Sequence, residues 1–155
     1  MFREMRRFKQ KLSDEKCLEL LKTQPRGVLS MNGLNGYPYG IPMNFYYEDG
    51  HLYFHCAKQG CKLESIEQDN KVSFNVIDQG VQIEGKRGLD FNSVIVFGKI
   101  RIMEDRAKAE EMCRKFGLKY FDEEQINRDM ERSFGRVNLL DLEIEHMSGK
   151  TVNES

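Results

Sequence analysis

The order of apolar and polar positions divides the chain into short strands and a few helices. Residues 27–31 are a brief apolar run between Pro25 and the turn formers Asn32-Gly33 and Asn35-Gly36, and read as a first strand that turns back on itself. Residues 37–47 are aromatic and apolar but carry Pro38 and Pro42, each of which removes a ladder donor, so a bulged or one-sided strand is expected. Glu48-Asp49-Gly50 forms a hairpin turn. Residues 51–57 then alternate, with Leu52, Phe54 and Cys56 on one face and Tyr53, His55 and Ala57 on the other. These three strands predict an antiparallel meander. Residues 71–77 alternate again, Val72, Phe74 and Val76 against Ser73 and Asn75. Residues 91–103 hold the longest apolar run; its β-branched residues predict a central strand buried on both faces, and Gly98 within it a bulge or a close approach. The last strand sets Leu140, Leu142, Ile144 and His146 against Asp141, Glu143 and Glu145.

Helical spacing appears between these runs. Ser13 is an N-cap, Asp14 and Glu15 suit a first turn, and Cys17, Leu20 and Leu21 fall at i, i+3, i+4 before Pro25 ends the helix. Residues 62–68 form a short amphipathic turn that buries Leu63 and Ile66 and exposes Glu64 and Glu67. From Asp105 as N-cap, Ala109, Met112, Cys113 and Phe116 share a face, with Gly117 as the stop. Residues 121–134 predict another helix with Ile126, Met130 and Phe134 as its stripe. Residues 79–90 carry three glycines and read as a loop or a ragged edge hairpin. About six strands joined mainly by hairpins, with three or four peripheral helices, predict a mainly β fold, a closed antiparallel barrel rather than a parallel sheet.

At 155 residues the chain suits one domain, residues 1–155. Twenty-four basic against twenty-five acidic residues leave no global field to attract nucleic acid or an anionic membrane. Residues 1–12, with Arg3, Arg6, Arg7, Lys9 and Lys11, read as a basic N-terminal arm, solvated or in contact with a local anion. The four cysteines lack C-x-x-C spacing and no apolar run resembles a signal peptide or membrane span, so a reduced, cytoplasmic protein is expected. His55 and Cys56 are neighbours on a strand and face opposite ways, so no metal site is expected from them.

One ordered set of residues goes further. Met5-Arg6-Arg7, Gly27 to Ser30, Pro38 to Asn44, Tyr53 to Ala57 followed by Gly60 and Lys62, Ser93 to Gly98, and Ser148-Gly149-Lys150 together resemble the flavin-binding split barrels related to pyridoxamine 5'-phosphate oxidase, in their nitroimidazole-resistance (Nim-like) branch. The resemblance implies a split β-barrel that forms a homodimer with flavin mononucleotide (FMN) held between subunits. It implies that Lys62, where a strand ends and a helix begins, meets the flavin phosphate; taken alone, Lys62 reads as a surface lysine that starts a helix. It implies that Ile41, Pro42, Met43 and Asn44 run beside the isoalloxazine, that Ala57 and Ser93 approach it, and that His55 is a catalytic proton donor rather than a structural histidine. Tyr37, Tyr39 and Tyr53 are further candidates for the pocket lining. In relatives the residue before the lysine is often basic, whereas here it is Cys61, so Arg6 or Arg7 is a candidate replacement. The activity implied is reduction of a small aromatic acceptor, nitro- or quinone-like. A non-catalytic flavin carrier or sensor and a haem-binding split barrel are the alternatives.

Overall fold

The computed structural model describes residues 2–153; Met1 of the expected arm, and Glu154 and Ser155 of the expected domain, lie outside them. A 3-10 turn, Phe8–Gln10, precedes helix α1, Asp14–Thr23, whose N-cap Ser13 accepts from the Lys16 N–H. Strands β1 (Arg26–Asn32), β2 (Pro38–Asn44), β3 (Tyr46–Glu48) and β4 (His51–Ala57) follow, then α2 (Cys61–Gln68) and β5 (Lys71–Ile77). The two-residue β6 (Val81–Gln82) pairs with the start of β7 (Leu89–Ile102), so the 79–90 segment is an edge hairpin. Helices α3 (Arg106–Leu118) and α4 (Glu123–Ser133) lead into β8 (Val137–Asn153).

All pairings are antiparallel, in the order β2-β1-β5-β7-β8-β4-β3, with β6 on β7. The sheet has eight strands, not six, because the aromatic run 37–47 breaks at Phe45 into β2 and β3 and the glycine-rich segment adds β6. β2 and β3 are the two ends of the sheet, yet one residue joins them, so the sheet must curl until its ends meet at Phe45. The result is a split antiparallel barrel. Phe45 is fully buried at that junction, edge-on to Phe74.

The barrel interior takes Leu29, Phe54, Phe74, Val94, Val96 and Leu140, plugged by Cys17, Leu20 and Leu21 of α1 and by Leu63 and Ile66 of α2. A second core lies outside the sheet, where Ala109, Met112 and Phe116 of α3 cover Tyr53 and Leu139.

Two expected faces are corrected, the second by an irregularity between β7 and β8. β7 buries a single face: Val94, Val96 and Ile100 point in, while Ile95 and Phe97 stay 40% and 38% exposed. Between Phe97 and Gly98 the β7–β8 register shifts, so one step on β7 spans Ile144 to His146 on β8. Ile144 therefore packs on the inner core while His146 turns outward, where it stacks on Phe2 with ring centroids 4.5 Å apart. The arm is thus not free: Phe2 covers that stack, and the Leu12 N–H donates to the Gly149 carbonyl at 2.8 Å.

Candidate functional site

β2 is the terminal strand of the sheet, so its far edge meets no ladder partner, and the two prolines that thin its donors are tolerated there. Ile41 and Met43 point inward and pack on the barrel core, whereas Pro42 faces out. Across the split stands β4, whose chain leaves through Gly60 at φ 139°, a conformation that favours glycine. α2 starts on Cys61, and Lys62 in its first turn reaches back across the split: its Nζ lies 3.6 Å from the Met43 Sδ. No carboxylate pairs with Lys62 among the described residues. A crevice of about 200 Å3 opens beside it, lined by Tyr39, Cys56, Ala57, Gly60 and Lys62. Cys56 faces the core, and burial pushes its thiol pKa up against the pull of the Lys62 charge.

His55 lies on the outer face of β4, edge-on to Phe116 of α3 at 4.9 Å. The imidazole keeps an exposed side, but partial desolvation against that packing, and then the Lys62 charge, lower its pKa. His55 and Asn44 also border a second cavity of about 400 Å3 between α3 and α4, walled by Phe116, Tyr120, Phe121 and Phe134. His55 therefore adjoins the cavity on one side and feels the lysine of the crevice on the other.

The helices are fixed to the split by two side chains just past α3. The Tyr120 hydroxyl accepts from the Phe45 N–H at 3.0 Å and donates its one proton to the Pro25 carbonyl (2.7 Å) or the Phe45 carbonyl (2.9 Å). The Lys119 Nζ donates to the same Phe45 carbonyl at 2.9 Å and sits 3.7 Å from the centroid of the Phe45 ring. With no carboxylate beside it, burial brings its pKa down to about 8.

Of the residues expected at the site, Tyr39, Ala57 and Lys62 line the crevice, Met43 touches Lys62, and His55 and Asn44 line the adjoining cavity. Ser93 is not brought to them within one chain. It accepts from Asn75 Nδ2 at 3.0 Å on β7, three strands from β2 along the sheet or about 14 Å. Tyr37 is 71% exposed and lies outside both cavities. Tyr53 is buried in the second core, where burial and the nearby Asp141 push its hydroxyl up to about 12, so it serves packing. Neither Arg6 nor Arg7 lines the crevice, since the arm follows β8 instead.

Two features escaped the sequence. Asp141, expected on a polar face, is 2% exposed and held between His51 (2.6 Å) and Arg101 (3.2 Å), a cross-strand ion cluster under the hairpin. The cavity between α3 and α4 exists only because two helices dock side by side. No local pattern marks it.

A curled antiparallel sheet split beside an unpaired lysine, with helices laid over one flank, is the split-barrel class. Residues 13–151 match the family described as pyridoxamine 5'-phosphate oxidase, and the chain belongs to that family. No curated protein matches it. Among solved structures, it is similar to a candidate 5-nitroimidazole antibiotic resistance protein from Bacteroides thetaiotaomicron, with TM-score 0.78, 20% identity, and 91% of this chain and 86% of that one covered. An FAD-binding protein from Mesorhizobium loti matches with TM-score 0.69, 22% identity and 93% and 98% coverage. An FAD and heme binding protein from Mycobacterium smegmatis matches with TM-score 0.72, 19% identity and 95% and 74% coverage. At these identities the likeness is one of fold. Among the described residues, no helix is long and apolar enough to cross a membrane.

Proposed function

We propose that this chain is an FMN-dependent oxidoreductase that works as a homodimer and reduces a small aromatic acceptor, nitro- or quinone-like. The observation that carries the reading is Lys62: an unpaired ammonium in the first turn of α2, beside an open crevice at a glycine-led helix start. A helix N-terminus favours an anion, and a cation placed there calls for one when, as here, it pairs with no carboxylate, Glu64 of the same turn included. The phosphate of a flavin answers both.

The residues fit the group in part. The crevice of about 200 Å3 has room for a phosphate and its first carbons but lies below the roughly 300 Å3 at which pockets hold whole ligands. A flavin ring would therefore extend along the β2 edge, past Pro42 and Asn44, and needs a second wall. The outer face of the sheet carries Val28, Ile77, Ile95 and Phe97, 38–52% exposed, and a two-fold partner seated there supplies that wall. Ser93, remote from Lys62 within one chain, would then approach the flavin bound by the partner.

The flavin supplies the redox chemistry when bound. The chain's own part is to hold the phosphate with Lys62, to offer the free edge of β2 to the ring, and to shelter the acceptor beside His55. Reduction of a nitro or quinone group takes up protons with electrons. His55, at the wall of the cavity between α3 and α4, is placed to pass a proton from solvent to the acceptor.

The test is to load the protein with FMN, reduce it without oxygen, and measure reoxidation by a panel of nitroaromatics and quinones. Reoxidation faster than that of free FMN supports the oxidoreductase. Tight flavin binding with no such acceleration across the panel would overturn it in favour of a carrier. FAD loaded in parallel decides between the two flavins, a comparison motivated by the FAD-binding neighbours. A Soret band in the purified protein would favour the haem reading.

A further inference from the structure

The cavity between α3 and α4 has a lining of one electrostatic sign. Phe116, Tyr120, Phe121 and Phe134 present four aromatic rings to about 400 Å3, His55 closes one side, and Asp129 supplies a carboxylate. No lysine or arginine belongs to the lining. Asp129 accepts from Gln125 Nε2 at 2.9 Å through Oδ1, and no other bond engages it among the described residues, so its second oxygen remains for a ligand. The cations near the rim are engaged elsewhere: Arg128 pairs with Glu124, Arg114 with Glu110, and Arg106 donates to the Phe134 carbonyl while lying 4.3 Å from that ring. The last contact shows a ring of this cavity already serving as a platform for a cation. Gly117 and Phe116 also bring the C-terminal turn of α3, the negative end of its dipole, to the cavity wall. The opposing charges are Lys62, which acts on His55 from the crevice side, and Lys119, whose Nζ lies 5.4 Å from the centroid of the Tyr120 ring but donates to the Phe45 carbonyl; both are outside the lining.

Aromatic faces attract cations most when solvent is excluded, and a carboxylate beside them adds direction. We infer that the α3–α4 cavity binds a small organic cation with an apolar body, its ammonium or amidinium held by Asp129 among the rings of Phe116, Tyr120, Phe121 and Phe134. About 400 Å3 suits a molecule of one ring and a substituted amine. If the acceptor of the proposed reduction enters here, this names its class as cationic, and to that extent rests on that reading. Binding of the cation does not require the flavin.

The experiment uses benzyltrimethylammonium, benzyl alcohol and benzoate as probes of equal ring and different charge, followed by calorimetry and by the N-methyl proton shift of the cation. The full chain should bind the cation at least tenfold more tightly than benzyl alcohol and leave benzoate unbound, with the N-methyl signal moved upfield by the rings. Asp129→Asn should weaken the cation about tenfold without changing benzyl alcohol. Phe121→Leu, at a ring 56% exposed and so neutral for folding, should reduce the upfield shift and weaken binding severalfold. Benzoate binding as well as the cation, no binding of any probe at millimolar concentration, or no change in either variant would overturn the assignment. Flavin content is read from the visible spectrum of the same samples. Cation binding by a protein that takes up no FMN when loaded with it would leave the cavity assignment standing and remove the proposed function, and flavin turnover without cation preference would do the reverse.

Discussion

Lys62 is the side chain on which the flavin reading is most sharply tested. Losing one charge-assisted contact costs about 1.5–3 kcal/mol, roughly one to two decades in affinity. Lys62→Ala should therefore weaken FMN by that amount and leave riboflavin, which has no phosphate, unchanged. Titration of both ligands by flavin fluorescence at fixed salt checks it, and equal loss for both would indicate a fold defect instead. Lys119 makes a different prediction, about stability. Its folded pKa, about 8, lies below its unfolded value near 10.4, so between those pH values the unfolded chain binds the extra proton. The burial cost is fully present below pH 8 and is relieved as pH rises toward the unfolded value. Stability relative to Lys119→Met should accordingly increase from pH 7.5 to pH 9.5 in urea titrations. A flat difference would mean that the amine is not desolvated.

At the scale of elements, the docking of α3 on α4 shapes the cavity. Gly117 is the last residue but one of α3, and a Cβ there would run into the Ile126 side chain. The stop expected from that glycine comes after Leu118, where the Lys119 and Tyr120 N–H groups return to the Phe116 and Gly117 carbonyls. Gly117→Val should overpack this contact and lower stability by about 1–3 kcal/mol. Ile126→Ala is destabilising by itself because the side chain is buried, but the two losses should combine to less than their sum, since the alanine removes the atoms that the valine meets. Denaturant midpoints of the single and double variants read the coupling, and simple additivity would show that the two residues do not meet.

For the whole molecule, the outer face of the sheet decides whether the site is complete. Val28, Ile95 and Phe97 lie in neighbouring rows of one face, through the pairings Val28 with Asn75 and Asn75 with Ile95. Solvent-exposed apolar side chains gathered in this way mark a contact surface more often than a free one. Ile95→Asp puts an unpaired charge on that face, far from the barrel core. It should convert a dimer to monomers in sedimentation, and FMN retention should fall with it although Lys62 is intact. A dimer unaffected by the charge, or a monomer that keeps one flavin per chain, would count against a site shared between copies.

The strands, the caps at Ser13 and Asp105 and the inward faces of β4 and β5 were legible in the chain, because alternation and capping are local and each is read within a few residues. Lys62 and His55 could be placed locally, at a strand end and on an outward face, but it was the family resemblance that singled them out. What they do to each other was not legible. The reach of Lys62 to Met43 depends on two sheet edges meeting at Phe45, and the lowered pKa of His55 on the docking of α3 against β4. The outward turn of His146 follows from a register shift between strands remote in sequence, and the burial of Asp141 from a histidine and an arginine on two other strands. Local periodicity sets which face of an element is apolar; only the closing of the sheet and the docking of α3 and α4 decide what that face meets, because those contacts join residues tens of positions apart.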